Sequence, residues 1–483
     1  MALPEFHPCF SWVLWRLLPA VVLLSAQSAA AAEYASSRAS QWSRVDSVGP
    51  GLSLDAALLA ARRNDPWLSG NRLSQEAIEA SSVAAGALPD PKVNVGLLNL
   101  PTDTFDFNQE AMTQFRVGIS QQFPRGRSRQ LKRQQLATLS EQFPYQRHNR
   151  QARVAVTVSE LWLELYLVQQ SIALIEADRA LFDQLADVAV ASYTSTARRT
   201  RQQDVIRAEL ELTRLEDRLT ALGERQVTLQ QELAKWLRGD VSGPSLTGIG
   251  GIDPPDAALT LPEQLPATAL SRPLSLALAE DLRLLSAMLM RHPALVALDR
   301  KIAASATGVE VARQQYTPEW GVNAGYGYRD DDPAGNERAD FFSIGVTLDV
   351  PLFHANRQDR RVQSAAAQAE AVKTEKILLL RDMVAAFGSA REQLAKLDAR
   401  QHLYRERLLP QMHDQAQASL AAYTNDDGDF AEVVRARIAE LNAKIEALGL
   451  DVAREKNIAH LNYFLVEAVA GDSTDTGYEG ARP

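Results

Sequence analysis

Four stretches of the chain alternate between apolar residues and small or polar ones. Trp320, Val322, Ala324, Tyr326 and Tyr328 alternate with Gly321, Asn323, Gly325 and Gly327. Phe342, Ile344, Val346, Leu348 and Val350 then alternate with Ser343, Gly345, Thr347 and Asp349. Earlier, Val93, Val95 and Leu97, then Phe115, Val117 and Ile119, follow the same rhythm. A period of two with one apolar side predicts strands with one greasy face. Polar loops, 102–111 and 329–340, join them into two hairpins.

Elsewhere the period is helical. From Ser128 to Thr196 there is no glycine and one proline, Pro144, while Val154, Val158, Leu161, Leu165, Val168, Ile172 and Ile175 keep the four-three spacing of a coiled-coil seam. If unbroken, such a helix would reach about 100 Å. A polar break from Tyr193 to Gln202 separates it from a partner over roughly Gln203 to Leu237. In the second half the pattern predicts helix to about Ala421, a break at Asn425-Asp426-Asp427-Gly428, and helix from Phe430 to Leu465.

The two halves are copies of one unit. Pro66 and Pro293, Pro91 and Pro318, Phe115 and Phe342, Gly118 and Gly345, and Pro124 and Pro351 each lie 227 residues apart. A fixed offset between backbone-special residues marks a tandem duplication with almost no insertion. Asp65-Pro66 and His292-Pro293 place a cap and a first-turn proline before a helix in both copies.

The organisation expected is a signal peptide over 1–32, an N-terminal extension over 33–51, a first repeat over 52–238, a Gly- and Pro-rich connector over 239–280, a second repeat over 281–468 and a loose tail over 469–483. The first repeat carries strands at about 92–100 and 113–123, the second at about 319–328 and 341–350. The signal reading rests on Arg16, the apolar run Leu17–Leu24 and the small residues Ala30-Ala31-Ala32. That run is shorter than the ~20 residues of a spanning helix.

Composition narrows the function. Apolar residues are 46% and charged residues 23%, enough to bury a large surface. With 51 basic against 60 acidic residues the net charge is −9, which argues against a nucleic-acid partner. The single cysteine, Cys9, lies in the expected signal peptide, so disulfides, thiolate metal sites and cysteine nucleophiles drop out together.

Strands of this kind fit a membrane barrel with a wet lumen, or else the edge of a soluble sandwich. Four strands cannot close in lipid, because open edges leave backbone groups unpaired and closure takes about eight strands or more. Two chains would give eight strands and three would give twelve. Arg125, Arg127 and Arg129, with Arg357, Arg360 and Arg361, stand where strand gives way to helix, either facing lipid phosphates or as solvated helix starts.

Catalytic chemistry is not expected: the chain has no metalloprotease, serine-hydrolase or phosphate-loop motif, and Gly248-Ile249-Gly250-Gly251 follows no good strand. Met288, Met290 and His292, and Met412 with His413, are conceivable soft ligands. On a helical pattern they read more simply as packing, and no metal or cofactor is expected.

The residues Phe115 to Pro124, their repeat from Phe342 to Pro351, and Leu408-Leu409-Pro410, set in this duplicated order, resemble the TolC-like outer-membrane efflux proteins of Gram-negative bacteria. Leu88-Pro89-Asp90-Pro91, Gly96 to Pro101 and Glu110 to Gln114 are similar to its heavy-metal branch, the cobalt-zinc-cadmium and copper-silver type. The resemblance implies a mainly α fold with a membrane β-barrel portion, and a homotrimer whose long coiled-coil helices form an α-barrel across the periplasm. Four strands per chain would complete a 12-stranded barrel in outer-membrane lipid.

It also implies a passive exit duct for heavy-metal cations, working with a periplasmic adaptor (membrane fusion protein) and an inner-membrane RND-type pump. The alternatives are a multidrug or type I secretion duct, or a soluble periplasmic coiled-coil scaffold. Asp204 and Glu432 match the acidic position of the two helix tips and stand for the periplasmic gate, with Arg435 where a second acid is common. The adaptor-contact tip carried over is Tyr193, Arg201, Tyr423, Asp426 and Gly428, with Arg198 and Arg199 adding positive charge.

Overall fold

The computed structural model describes residues 51–194, 202–238, 259–271, 281–425 and 429–468, without the side chains of 185–194, 202–205 and 208. In the first copy, helices α1 (Leu54–Arg63) and α2 (Pro66–Gly86) lead into strands β1 (Lys92–Leu98) and β2 (Gln114–Phe123). Helices α3 (Ser128–Ser140), α4 (Gln142–Thr194) and α5 (Gln202–Leu237) follow. In the second copy, α6 (Leu282–Leu289) and α7 (Pro293–Arg313) lead into β3 (Glu319–Tyr328) and β4 (Phe341–Asp349). Then come α8 (Gln358–Leu403), a π-helical turn at Tyr404–Leu408, α9 (Leu409–Thr424) and α10 (Phe430–Phe464).

Helix starts carry their own caps. Ser53 Oγ accepts from the Ala56 N–H at 3.2 Å, Asp65 from Trp67 at 3.1 Å and Asp429 from Ala431 at 3.2 Å. These satisfy donors that the first turn leaves unpaired. His292 does the same with its Nδ1, 3.2 Å from the Ala294 N–H.

The helix expected over 128–196 is divided at Glu141. Pro144 lacks an N–H and its ring crowds the Ser140 carbonyl, so the run ends and restarts. Even so, α4 keeps 53 residues, about 80 Å of helix. Its seam is real: Val154, Val158, Leu165, Val168 and Ile175 are buried. In the second copy Pro410 has a different result. The helix continues, and the turn before the proline widens into the π turn. The partly buried residues Leu394, Leu397, Gln401, Tyr404 and Leu408 step by three and four, and the next residue, Leu409, also partly buried, opens a second run of threes and fours through Met412, the buried Ala416, Leu420 and Tyr423.

The sheet is antiparallel in the order β1-β2-β3-β4, so β1 and β4 each present one edge without a partner among the described residues. The same order passes into the helices: α2 packs on α3, α3 on α7 and α7 on α8. Further from the sheet, α5 packs on α4, α4 on α10, and α10 on α8 and α9. Between the copies, Glu160 on α4 meets His460 on α10 at 2.6 Å, and Glu164 pairs with Lys456. Three connector residues bond to the same helices: Tyr166 donates to the Glu263 carbonyl and Gln169 to the Leu259 carbonyl, both at 2.8 Å, while Asn462 donates to the Ala269 carbonyl at 3.0 Å.

A small separate unit includes Leu52 and Thr260–Pro262, where the Leu52 N–H donates to the Thr260 carbonyl at 2.8 Å. Among the described residues, no helix is long and apolar enough to cross a membrane.

Candidate functional site

The two faces of the sheet differ in kind. On one, the register aligns Val95 with Val117 and Tyr326, Ile119 with Ala324 and Ile344, and Val322 with Val346. On the outer strand β4, Phe342, Ile344, Val346 and Leu348 are 61–73% exposed. Apolar side chains left bare in contiguous rows mark a surface meant for something other than water. Aromatic rings close the band at both ends. Phe123 stacks on Trp320 at 4.2 Å near the helices, and Phe107 stacks on Tyr328 at 6.4 Å near the loops. The opposite face carries Asn94, Gly96, Gly118, Ser120, Gly321, Asn323, Ser343, Gly345 and Thr347, together with Arg116.

Where strands become helices, Arg125 is buried and bonds to Asp349 on β4, with Glu319 on β3 at 3.6 Å. Its guanidinium also donates to the carbonyls of Gln315 at 3.3 Å and Thr317 at 3.1 Å. Both sequence readings of Arg125, lipid-facing and solvated, are therefore corrected: it is a clamp across the sheet end. The isolated carboxylates Glu319 and Asp349, which flank apolar alternation, were the available signal. Arg129 reaches the Gly86 carbonyl at 3.2 Å and Arg361 reaches Gln315 at 3.0 Å, so these two also make bonds within the chain.

At the far end of the long helices, Phe430, Val433, Val434 and Leu441 of α10 are buried with Ile175 and Phe182 of α4 and Leu215 of α5. Tyr423, expected at a contact tip, packs against this cluster with its ring edge-on to Phe430, 5.6 Å between centroids. Glu432 and Arg435 are brought together as an exposed pair at 2.9 Å, one helical turn apart. Asp204 is the third residue of α5 and Glu432 the third of α10, so the backbone gives both acids the same place on a helix start. The Asp204 side chain is not described. Tyr193 lies in the last turn of α4 with its side chain likewise not described, and Arg201, Asp426 and Gly428 lie outside the described residues, as do Arg198 and Arg199.

Sequence reasoning missed a buried acid just behind this tip. Glu440 receives His413 Nδ1 at 2.9 Å, Arg437 at 3.0 Å and Lys444 at 3.2 Å. Burial pushes its carboxyl up, but the bonds from His413, Lys444 and Arg437 outweigh that and hold it below the ordinary range. An i, i+4 glutamate–lysine spacing within α10 was the only hint.

The two histidines among the conceivable metal ligands are otherwise engaged. His413 serves Glu440, and His292 uses Nδ1 on its cap and Nε2, 3.0 Å away, on the Tyr463 carbonyl. No group of three or more metal-ligating side chains occurs among the described residues. A polar cavity of about 490 Å³ beside the π turn is lined by Asp398, Arg405, Asp451, Arg454 and Glu455, which pair with one another.

An open sheet with one bare apolar face, continued by antiparallel helices in the same order, is an arrangement found in solved structures. CusC, whose structures concern transmembrane channel formation, is 14% identical, with a TM-score of 0.66 over 86% of this chain and 92% of that one. The chain has the fold of these channels. The outer membrane protein VceC of Vibrio cholerae gives 13% and 0.67 over 85% and 95%. The outer-membrane channel MtrE of Neisseria gonorrhoeae, in its open state, gives 13% and 0.64 over 86% and 89%. No family model matches the chain, and no curated protein matches it.

Proposed function

We propose that the chain is one subunit of a homotrimeric outer-membrane exit duct in a tripartite efflux system. It would pass solutes handed on by an inner-membrane RND-type pump through a periplasmic adaptor. The observation that carries this reading is the apolar band of the sheet, bounded by aromatic rings at both ends and ending in two edges unpaired among the described residues. From Trp320 to Tyr328 the strand covers about 27 Å, or about 20 Å of height at the usual tilt, close to the band of membrane barrels. An edge cannot stay open in lipid, so subunits must pair β4 of one with β1 of the next; three give twelve strands.

The heavy-metal branch is supported by the sequence resemblance around Leu88 to Gln114, and a multidrug duct has the same architecture. The mouth is assigned to Asp204 and Glu432, with Arg435 offsetting part of the charge through its pair with Glu432. The tip residues Tyr193, Arg201, Tyr423, Asp426 and Gly428 are assigned to adaptor contact.

Detergent extraction from outer membranes, followed by planar-bilayer recording, tests the reading. We expect heat-modifiable trimers that form channels. The double variant Asp204→Ala/Glu432→Ala should have higher conductance and weaker cation preference at the mouth. A water-soluble, detergent-independent protein without channel activity would sink the duct, and an unchanged double variant would sink the mouth.

A further inference from the structure

We propose that Arg116 is a selectivity residue of the sheet's polar face, a fixed positive charge that favours small inorganic anions over cations. The proposal rests on the duct reading, because only a closed barrel turns that face into a lumen wall.

Four charged residues stand on this face, and three of them, Lys92, Glu319 and Asp349, lie at the strand ends next to the helices. There Arg125 already holds both carboxylates. Arg116 stands apart from them in the loop-side half, exposed, with Gly96 on β1 and Gly327 on β3 as its direct neighbours across the sheet. Among the described residues no carboxylate pairs with it. Its Nη2 donates to Ser343 Oγ at 2.9 Å, a hydroxyl that fixes the group without cancelling its charge.

The wall leaves room for it there. A Cβ at Gly325 would come within 2.9 Å of Arg116 Nε and 3.0 Å of Nη2, so the glycine lets the guanidinium lie on the sheet where a side chain would make its flexible end shift. Ser343 is also the position equivalent to Arg116 in the second copy. In the loop-side half of the strands one charge per subunit is therefore displayed, and a ring of subunits displays a collar. The field of such a collar crosses a wide lumen only when screening is weak. The screening length is about 10 Å at 0.1 M salt, about 30 Å at 0.01 M and about 3 Å at 1 M.

The test is the chloride-to-potassium permeability ratio of wild-type channels and variants under a KCl gradient centred near 10 mM. Arg116→Ser should lower the ratio at least about twofold, Arg116→Glu should lower it further, and Arg116→Lys should keep it. In about 1 M KCl the differences should vanish. Arg116→Gln removes the charge while keeping a donor for Ser343, and gives the same reading where the serine variant does not assemble. Ratios at low salt that are the same in wild type, R116Q and R116E, from channels of normal conductance, would overturn the proposal. Wild-type protein that opens no channel at all would instead bring down the duct reading and this inference with it.

Discussion

At equivalent places in the two copies the chain turns from strand to helix by different means. The first copy uses Arg125-Gly126. The arginine clamps Glu319 and Asp349, and the glycine adopts φ +44° against Gln314, whose Oε1 would be 2.5 Å from any Cβ. In the second copy the matching residues are Leu352 and Phe353, 71% and 90% exposed. The clamp of the first copy reaches strands of the second, so one junction holds the sheet end for both. Once it does so, the other junction is released from that duty and can present apolar side chains outward. Duplication supplied two equal starting points, and a shared interface made them unequal.

The caps show the same divergence. Asp65 is locked by Arg150 at 2.7 Å, whose guanidinium lies 5.7 Å from the Trp67 ring and 5.4 Å from Trp236. Its counterpart His292 is fully buried and neutral, with burial lowering its pKa to about 4.

The junctions give the largest expected contrast. Arg125→Ala leaves Glu319 and Asp349, partners across β3 and β4, facing each other without a cation, and should cost about 3 kcal/mol. Leu352→Ala, at the equivalent position, should stay within about 0.5 kcal/mol. Thermal unfolding in one detergent compares them, and equal losses would abolish the asymmetry.

The caps come next. A histidine that stays neutral in the fold until pH approaches about 4 but is free to protonate below about 6.5 when unfolded stabilises the fold at neutral pH and loses that contribution as pH falls. Between pH 7 and 5 the loss should be about 2 kcal/mol, and His292→Asn, which retains a good cap, should flatten the slope. His460 works the other way. Its bond to Glu160 raises its pKa, so its contribution is present below about 6.5 and fades as pH rises through the raised value. A pH profile unchanged in H292N would mean that the two caps are equivalent after all.

The prolines give the smallest effect. Pro410→Ala restores a helix-interior amide and should gain up to about 1 kcal/mol. Pro144→Ala, in the first turn of α4, should change stability by less than half of that. Melting curves with the order reversed would show that the π turn is not the cost of Pro410.

Periodicity made the elements readable: alternation around Trp320 and Phe342 and the seam from Val154 to Ile175 reappear as strands and a buried helix face. Local pattern has no access to what an arginine meets 190 or more residues away, and so Arg125 was misread. Tyr423 shows the limit in another form. A tip residue found by its place in a motif also packs edge-on against Phe430, a contact that local pattern does not reveal. Glu440 was hidden by composition, since one glutamate in a charged helix looks like any other until its burial is known.

The π turn at Tyr404–Leu408 works as a vernier. An α-helix carrying one surplus residue would swing every later side chain about 100° around its axis and bring the wrong residues to the neighbour. By giving that residue a turn of its own, the chain lets the inward stripe resume at Leu409 and arrive in phase at Tyr423. Register along this helix is thus reset partway, and the distal end is free to diverge in length from its twin without the sheet-side half having to follow.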